Sequence, residues 1–114
     1  MPLHETQDPA DPTTLKDAKE EYLVFYSSRD ETGNLWCPDC VAVDDAIQQA
    51  FGPAEAPSAL IVYVGQRAAW KSRSNVFRAA PWKVDSVPTI VRVKDGERLV
   101  DSEIAHKLAA FVHA

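Results

Sequence analysis

Trp36-Cys37-Pro38-Asp39-Cys40 holds the only two cysteines of the chain, separated by two residues. Before it, Leu23 to Ser27 is short, apolar and aromatic, as a strand should be. After it, Val43, Ala46, Ile47 and Ala50 recur at helical spacing, so one face of a helix goes to a core. Pro38 suits that helix's first turn, where its missing N–H costs nothing, and Gly52-Pro53 ends it. The pair therefore lies where a helix follows a strand. A thiol there is biased toward thiolate, because unpaired helix-terminal N–H groups and the macrodipole favour negative charge. Paired thiols with one activated member exchange disulfides.

Spacing separates the two thiols in role. Cys37 comes first and is expected to be exposed and activated. Cys40 lies one turn further in and is expected to be more buried. Cys37 would attack a substrate disulfide, and Cys40 would then attack Cys37 to release the reduced product. Pro38 stiffens the turn between them. Asp39 disfavours a nearby thiolate as an anion, accepts a proton from Cys40, or merely complements the helix dipole as a first-turn acid. Zinc is the main rival for a lone Cys-x-x-Cys. It needs two further ligands, and His4, His106 and His113 are badly spaced for it, so no metal is expected. Trp36 is read as an apolar wall beside Cys37 that helps to bind substrate.

Outward from the pair, the remaining elements follow. Residues 1–12 hold Pro2, Pro9 and Pro12 and read as irregular, with at most a short edge strand. Thr13 or Thr14 caps a helix near Leu15 to Glu20. Ser28 to Leu35 is a polar loop with a turn at Thr32-Gly33-Asn34. Ala59 to Val64 is continuously apolar, as a buried central strand is. Gly65 to Ser72 reads as a loop and Asn75 to Ala80 as a short helix stopped by Pro81. Thr89 to Val93 and Arg98 to Asp101 form a hairpin around Asp95-Gly96. Ile104, Leu108, Phe111 and Val112 mark a last amphipathic helix. The expectation is an α/β fold, with a mixed central sheet of four to five strands and helices on both faces. Its 114 residues are enough for one domain, 1–114. Trp70 and Phe77 are expected in the core.

Net charge is −5, unevenly spread: residues 1–55 hold 12 acids and 3 bases, and residues 56–114 hold 5 acids and 9 bases. Ala56 to Val84 contains no acid. That stretch is either a solvated surface or a positive flank that raises the thiolate fraction or steers an acidic partner. The negative total and the lack of an aromatic–basic recognition motif argue against nucleic acid. The longest apolar run is too short for a bilayer. Met1 to Asp11 has neither a basic nor an apolar signal region, so a cytoplasmic monomer is expected.

Strand, Trp-Cys-x-x-Cys, helix, then Val87-Pro88-Thr89 before another strand resembles the thioredoxin fold. The resemblance implies that Pro88 is cis and faces Cys37, and that the Val87 backbone hydrogen-bonds an extended substrate. The motif Trp36-Cys37-Pro38-Asp39-Cys40 after the long loop Ser28 to Leu35 is similar to the thioredoxin domain-containing protein 17 family. So are Val64-Gly65, Trp70-Lys71, Asn75 and Phe77-Arg78. That family implies a reductase of small-molecule or selected protein disulfides with no bound cofactor, fed with electrons from NADPH by thioredoxin reductase. It also implies that thioredoxin's own main substrates are mostly refused.

Three departures stand out. Leu23 to Ser28 holds no acid where thioredoxin has a buried one, so proton transfer at Cys40 falls to Asp39 or water. Asp101-Ser102-Glu103-Ile104 replaces a glycine-bearing docking lip. Asp44-Asp45 stands where both families usually have a helix-kinking proline. These departures lend some weight to an alternative, a redox-switched binding protein with little turnover. A peroxide-reducing enzyme is a third reading, but no peroxide-binding motif surrounds Cys37.

Overall fold

The computed structural model describes residues 3–112; Met1, Pro2, His113 and Ala114 lie outside them. Five strands build one sheet in the order β1-β3-β2-β4-β5. They are β1 (Leu3–Glu5), β2 (Tyr22–Tyr26), β3 (Ala59–Tyr63), β4 (Thr89–Arg92) and β5 (Arg98–Val100). β1 and β2 run parallel to β3, whereas β4 runs antiparallel to β2 and to β5. The five residues of β3 are all buried, which is why this strand shows no polar alternation in sequence. The short edge strand anticipated within residues 1–12 is β1.

Side-chain alternation along β2 sends neighbouring residues to opposite layers. Tyr22 packs its ring against Phe51, the last residue of α2 (Pro38–Phe51), and against Phe111 of α4 (Glu103–Val112), at centroid distances of 5.2 and 5.8 Å. Phe25 points the other way and meets Phe77, which in turn meets Trp82 edge-on at 5.5 Å. The sheet is therefore covered on both faces, by α2 and α4 on one side and by residues around 70–87 on the other. Trp70 and Phe77 are both buried, as expected of them. No described helix is long and apolar enough to cross a membrane.

Three short elements differ from the sequence-based expectation. The first helix, α1, spans Pro12–Leu15 and is capped by Asp11, whose Oδ1 accepts the Thr13 N–H at 2.9 Å, not by Thr13 or Thr14. Asp caps at least as well as Thr, and Pro12 preorganises the first helical position. The helix stops at Leu15 because Lys16 to Glu20 offers no apolar stripe to extend it. Within the expected loop Gly65 to Ser72, Arg67–Lys71 forms α3, a single turn with Trp70 buried. The expected helix Asn75 to Ala80 is one 3-10 turn, Val76–Arg78, capped by Asn75. One-turn helices carry too few apolar positions to show a period, so packing decides them.

Candidate redox site

Both thiols are set by the junction between β2 and α2. Cys37 occupies the N-cap of α2 in an extended conformation, and Pro38 takes the first helical position. The Cys37 carbonyl accepts from the N–H groups of Cys40 at 3.1 Å and Val41 at 3.2 Å. Ser27, just past β2, holds the strand side: its Oγ accepts the Cys37 N–H at 3.2 Å. Ser27 is buried without being left polar and unpaired.

The preceding loop is latched at several points. Arg29 and Leu35 form an isolated antiparallel bridge. Asp30 Oδ1 accepts the N–H groups of Thr32 and Asn34, at 2.9 and 3.2 Å. At its end, the Trp36 indole N–H donates to the Gly65 carbonyl at 2.9 Å. Ser28 and Gly65 bond reciprocally, through Ser28 N–H to the Gly65 carbonyl at 3.2 Å and Gly65 N–H to Ser28 Oγ at 2.9 Å. Gly65 has a φ of +116°, and a Cβ there would stand 3.2 Å from that of Ala69. Only glycine fits this seat without strain.

From the far side of the sequence comes the segment before β4. The Val87–Pro88 bond is cis, and the Cys37 thiol lies 3.7 Å from the Val87 carbonyl oxygen. Pro88 thus has the cis bond that the resemblance implies. Its carbonyl accepts the Asp101 N–H at 2.9 Å, which ties the acidic lip at Asp101 to the same segment.

Cys37 departs from the expectation in one respect. It is buried, at 7% exposure, rather than open; Cys40 is fully covered. Helical spacing distinguishes the two thiols but carries no sign of the Val87 segment, fifty positions on, that closes over the first. Burial, opposed by the Ser27 backbone hydrogen bond and reinforced by the neighbouring Cys37, pushes the Cys40 thiol up to about 12. Both cysteines are free thiols in this structure. Pro38 and Asp39 are exposed on the first turn, and Trp36 is half-buried.

Sequence reading missed two features. Arg67 stacks on Trp36, its Cζ 4.9 Å from the ring centroid, and its Nη2 donates to the Trp36 carbonyl at 3.3 Å. An arginine in a supposed loop gives no sign of this contact. Asp44, one helical turn beyond Cys40, accepts the hydroxyl of the fully buried Tyr26 at 3.0 Å. Burial and this carboxylate both drive the Tyr26 hydroxyl's pKa upward, and Cys40 adds to the effect. No local pattern marks Tyr26 and Asp44 as a pair, eighteen positions apart.

A family model described as thioredoxin domain-containing protein 17-like, thioredoxin domain, matches residues 4–112. The chain is 33% identical to thioredoxin domain-containing protein 17 of Homo sapiens over 86 residues, which covers 75% of this chain and 69% of the relative. The same identity holds for the protein of that name from Epinephelus coioides, again over 86 residues, with 75% and 69% covered. Thioredoxin-like protein Clot of Oryza sativa subsp. japonica is 33% identical over 110 residues, covering 86% of this chain and 79% of the relative.

Proposed function

We propose, since the chain belongs to the thioredoxin domain-containing protein 17-like thioredoxin family, that it is a dithiol–disulfide oxidoreductase that works as a reductase. The observation that carries this reading is the graded burial of a thiol pair at a helix start. Cys37, at 7% exposure, lies against the Val87 carbonyl, and Cys40 is fully covered.

Cys37, as thiolate, attacks one sulfur of a substrate disulfide. A Cys37–substrate disulfide forms, and the other substrate sulfur leaves as a thiolate that takes up a proton. The Cys40 thiol then loses its proton, attacks the Cys37 sulfur and expels the second substrate thiolate. Two electrons have passed from the dithiol to the substrate, leaving a Cys37–Cys40 disulfide. NADPH, acting through thioredoxin reductase, resets it. In the reduced state the Val87 carbonyl is engaged by the Cys37 thiol; once Cys37 has bonded to substrate that oxygen is released to accept from the substrate backbone. Pro38 and Asp39 tune the exchange, and Trp36 with Pro88 flanks it. Substrates are small-molecule or selected protein disulfides, and the working form is a monomer in the cytoplasm.

The test is NADPH consumption with thioredoxin reductase and excess cystine. Multiple turnovers are expected for the wild type and none for Cys37→Ser. Cys40→Ser should accumulate a mixed disulfide. No turnover, with a Cys37–Cys40 disulfide that still forms and reduces reversibly, would replace this reading by the redox-switched binding protein. The small exposure of Cys37 is the observation that favours that second reading.

A further inference from the structure

The arginines of this fold are mostly committed to the scaffold. Arg78 donates to the carbonyls of Trp70 and Asp85. Arg92 pairs with Asp95 and reaches the Phe111 carbonyl. Arg98 ties down Lys83 and Trp82. Arg29 bonds the Gly33 carbonyl and lies over Tyr63. Arg67 differs. It spends one N–H on the Trp36 carbonyl, at 3.3 Å, and is exposed. It makes no ion pair among the described residues. Guanidinium carries five donors in a fixed fork, so most of its capacity is open.

Its position gives that capacity a use. The carbonyl it bonds belongs to the peptide that joins Trp36 to Cys37, so the cation is held beside the backbone of the nucleophile. Stacking on the indole face at 4.9 Å fixes its plane and limits its rotamers. Asp39, two residues past Cys37, is exposed on the first turn of α2. The peptide just before Cys37 thus holds a bound cation, Arg67, and a carboxylate, Asp39, follows two residues after it.

We propose that Arg67 is a specificity-determining residue that selects disulfides carrying an anionic group, such as a carboxylate, close to the reacting sulfur. The inference rests on the reductase reading and adds the charge of its preferred substrates. The anion sits on the free donors of Arg67 at the Trp36 flank, away from Asp39, which orients the disulfide as well as attracting it. Positively charged disulfides lose this contact and meet the cation instead.

Dithiodipropionate, a dianion, and cystamine, a dication, have equal spacing between charge and sulfur. Each is mixed with pre-reduced protein in a single turnover, and formation of the Cys37–Cys40 disulfide is followed at low and high salt. In Arg67→Gln, the rate ratio of dithiodipropionate to cystamine should fall by about threefold at low salt. The difference should shrink at high salt. Arg67→Glu should lower the ratio further. An equal slowing with both probes would mean that Arg67 acts on the thiol and would overturn the inference, as would an unchanged ratio. Oxidation of the protein by neither probe would overturn the reductase reading, and this inference with it.

Discussion

Tyr26 has a hydroxyl with no exposure to solvent and one acceptor, Asp44 Oδ1 at 3.0 Å. A buried hydroxyl stripped of its partner bears its full desolvation cost, whereas removing the hydroxyl leaves a half-buried carboxylate that water can serve. Asp44→Ala is therefore expected to destabilise by about 2 kcal/mol, and Tyr26→Phe by about 1 kcal/mol. Urea unfolding of the two variants and their double mutant measures this; a double mutant no worse than Asp44→Ala alone would show the coupling. Neither partner can be assigned from local sequence. Tyr26 reads as one more strand aromatic, and Asp44 as one of two acids on a helix surface. Only the packing of α2 over β2 makes them a pair.

Among the elements, the turn after β3 is the least obvious support of the redox site. Gly65 receives the indole N–H of Trp36 and both bonds of Ser28. It does so at a φ that L side chains rarely adopt. Gly65→Ala must move either this backbone or Ala69. A loss of about 2 kcal/mol is expected, and a fall in Tm of roughly 10 °C for a domain of this size. Because Trp36 rests on the same carbonyl, its emission should shift to the red, which a variant that only weakened α3 would not produce. Scanning calorimetry and tryptophan fluorescence check the two parts. The glycine was visible in the sequence as a loop residue, but its partners lie about thirty positions away.

For the molecule as a whole, burial of titratable groups makes alkaline pH the weak side. Burial pushes the Cys40 thiol from 9.0 up to about 12 and the Tyr63 hydroxyl from 10.0 up to about 12. Tyr63 is raised further by its hydrogen bond to Glu5, and Tyr26 is shifted in the same direction. These groups ionise in the unfolded chain first, so the folded state holds more protons between the two values. Their contribution is intact below pH 9 and is lost as pH rises toward 12. For reduced protein, Cys40 alone should account for about 1 kcal/mol of lost stability by about pH 10. Denaturant midpoints at pH 8 and 10 should fall less for Cys40→Ala than for wild type. An identical fall would remove Cys40 from the account.

Sequence alone determined the features that depend on neighbours along the chain. The buried run of β3, the helical stripe of α2, the turn at Asp95-Gly96 and the paired thiols at a helix start were all legible. Each is written in local periodicity or in residues with special backbone needs, and the order of strands and helices implied a mixed sheet between helical layers. Tertiary structure decided what local pattern cannot hold. It set the one-turn helices, whose length carries no period, and the closure of Val87 over Cys37. It also placed the Tyr26–Asp44 pair and set Arg67 on Trp36. These contacts join residues distant in sequence, and their strength comes from exclusion of water and from fixed geometry, which exist only once the sheet has brought the segments together.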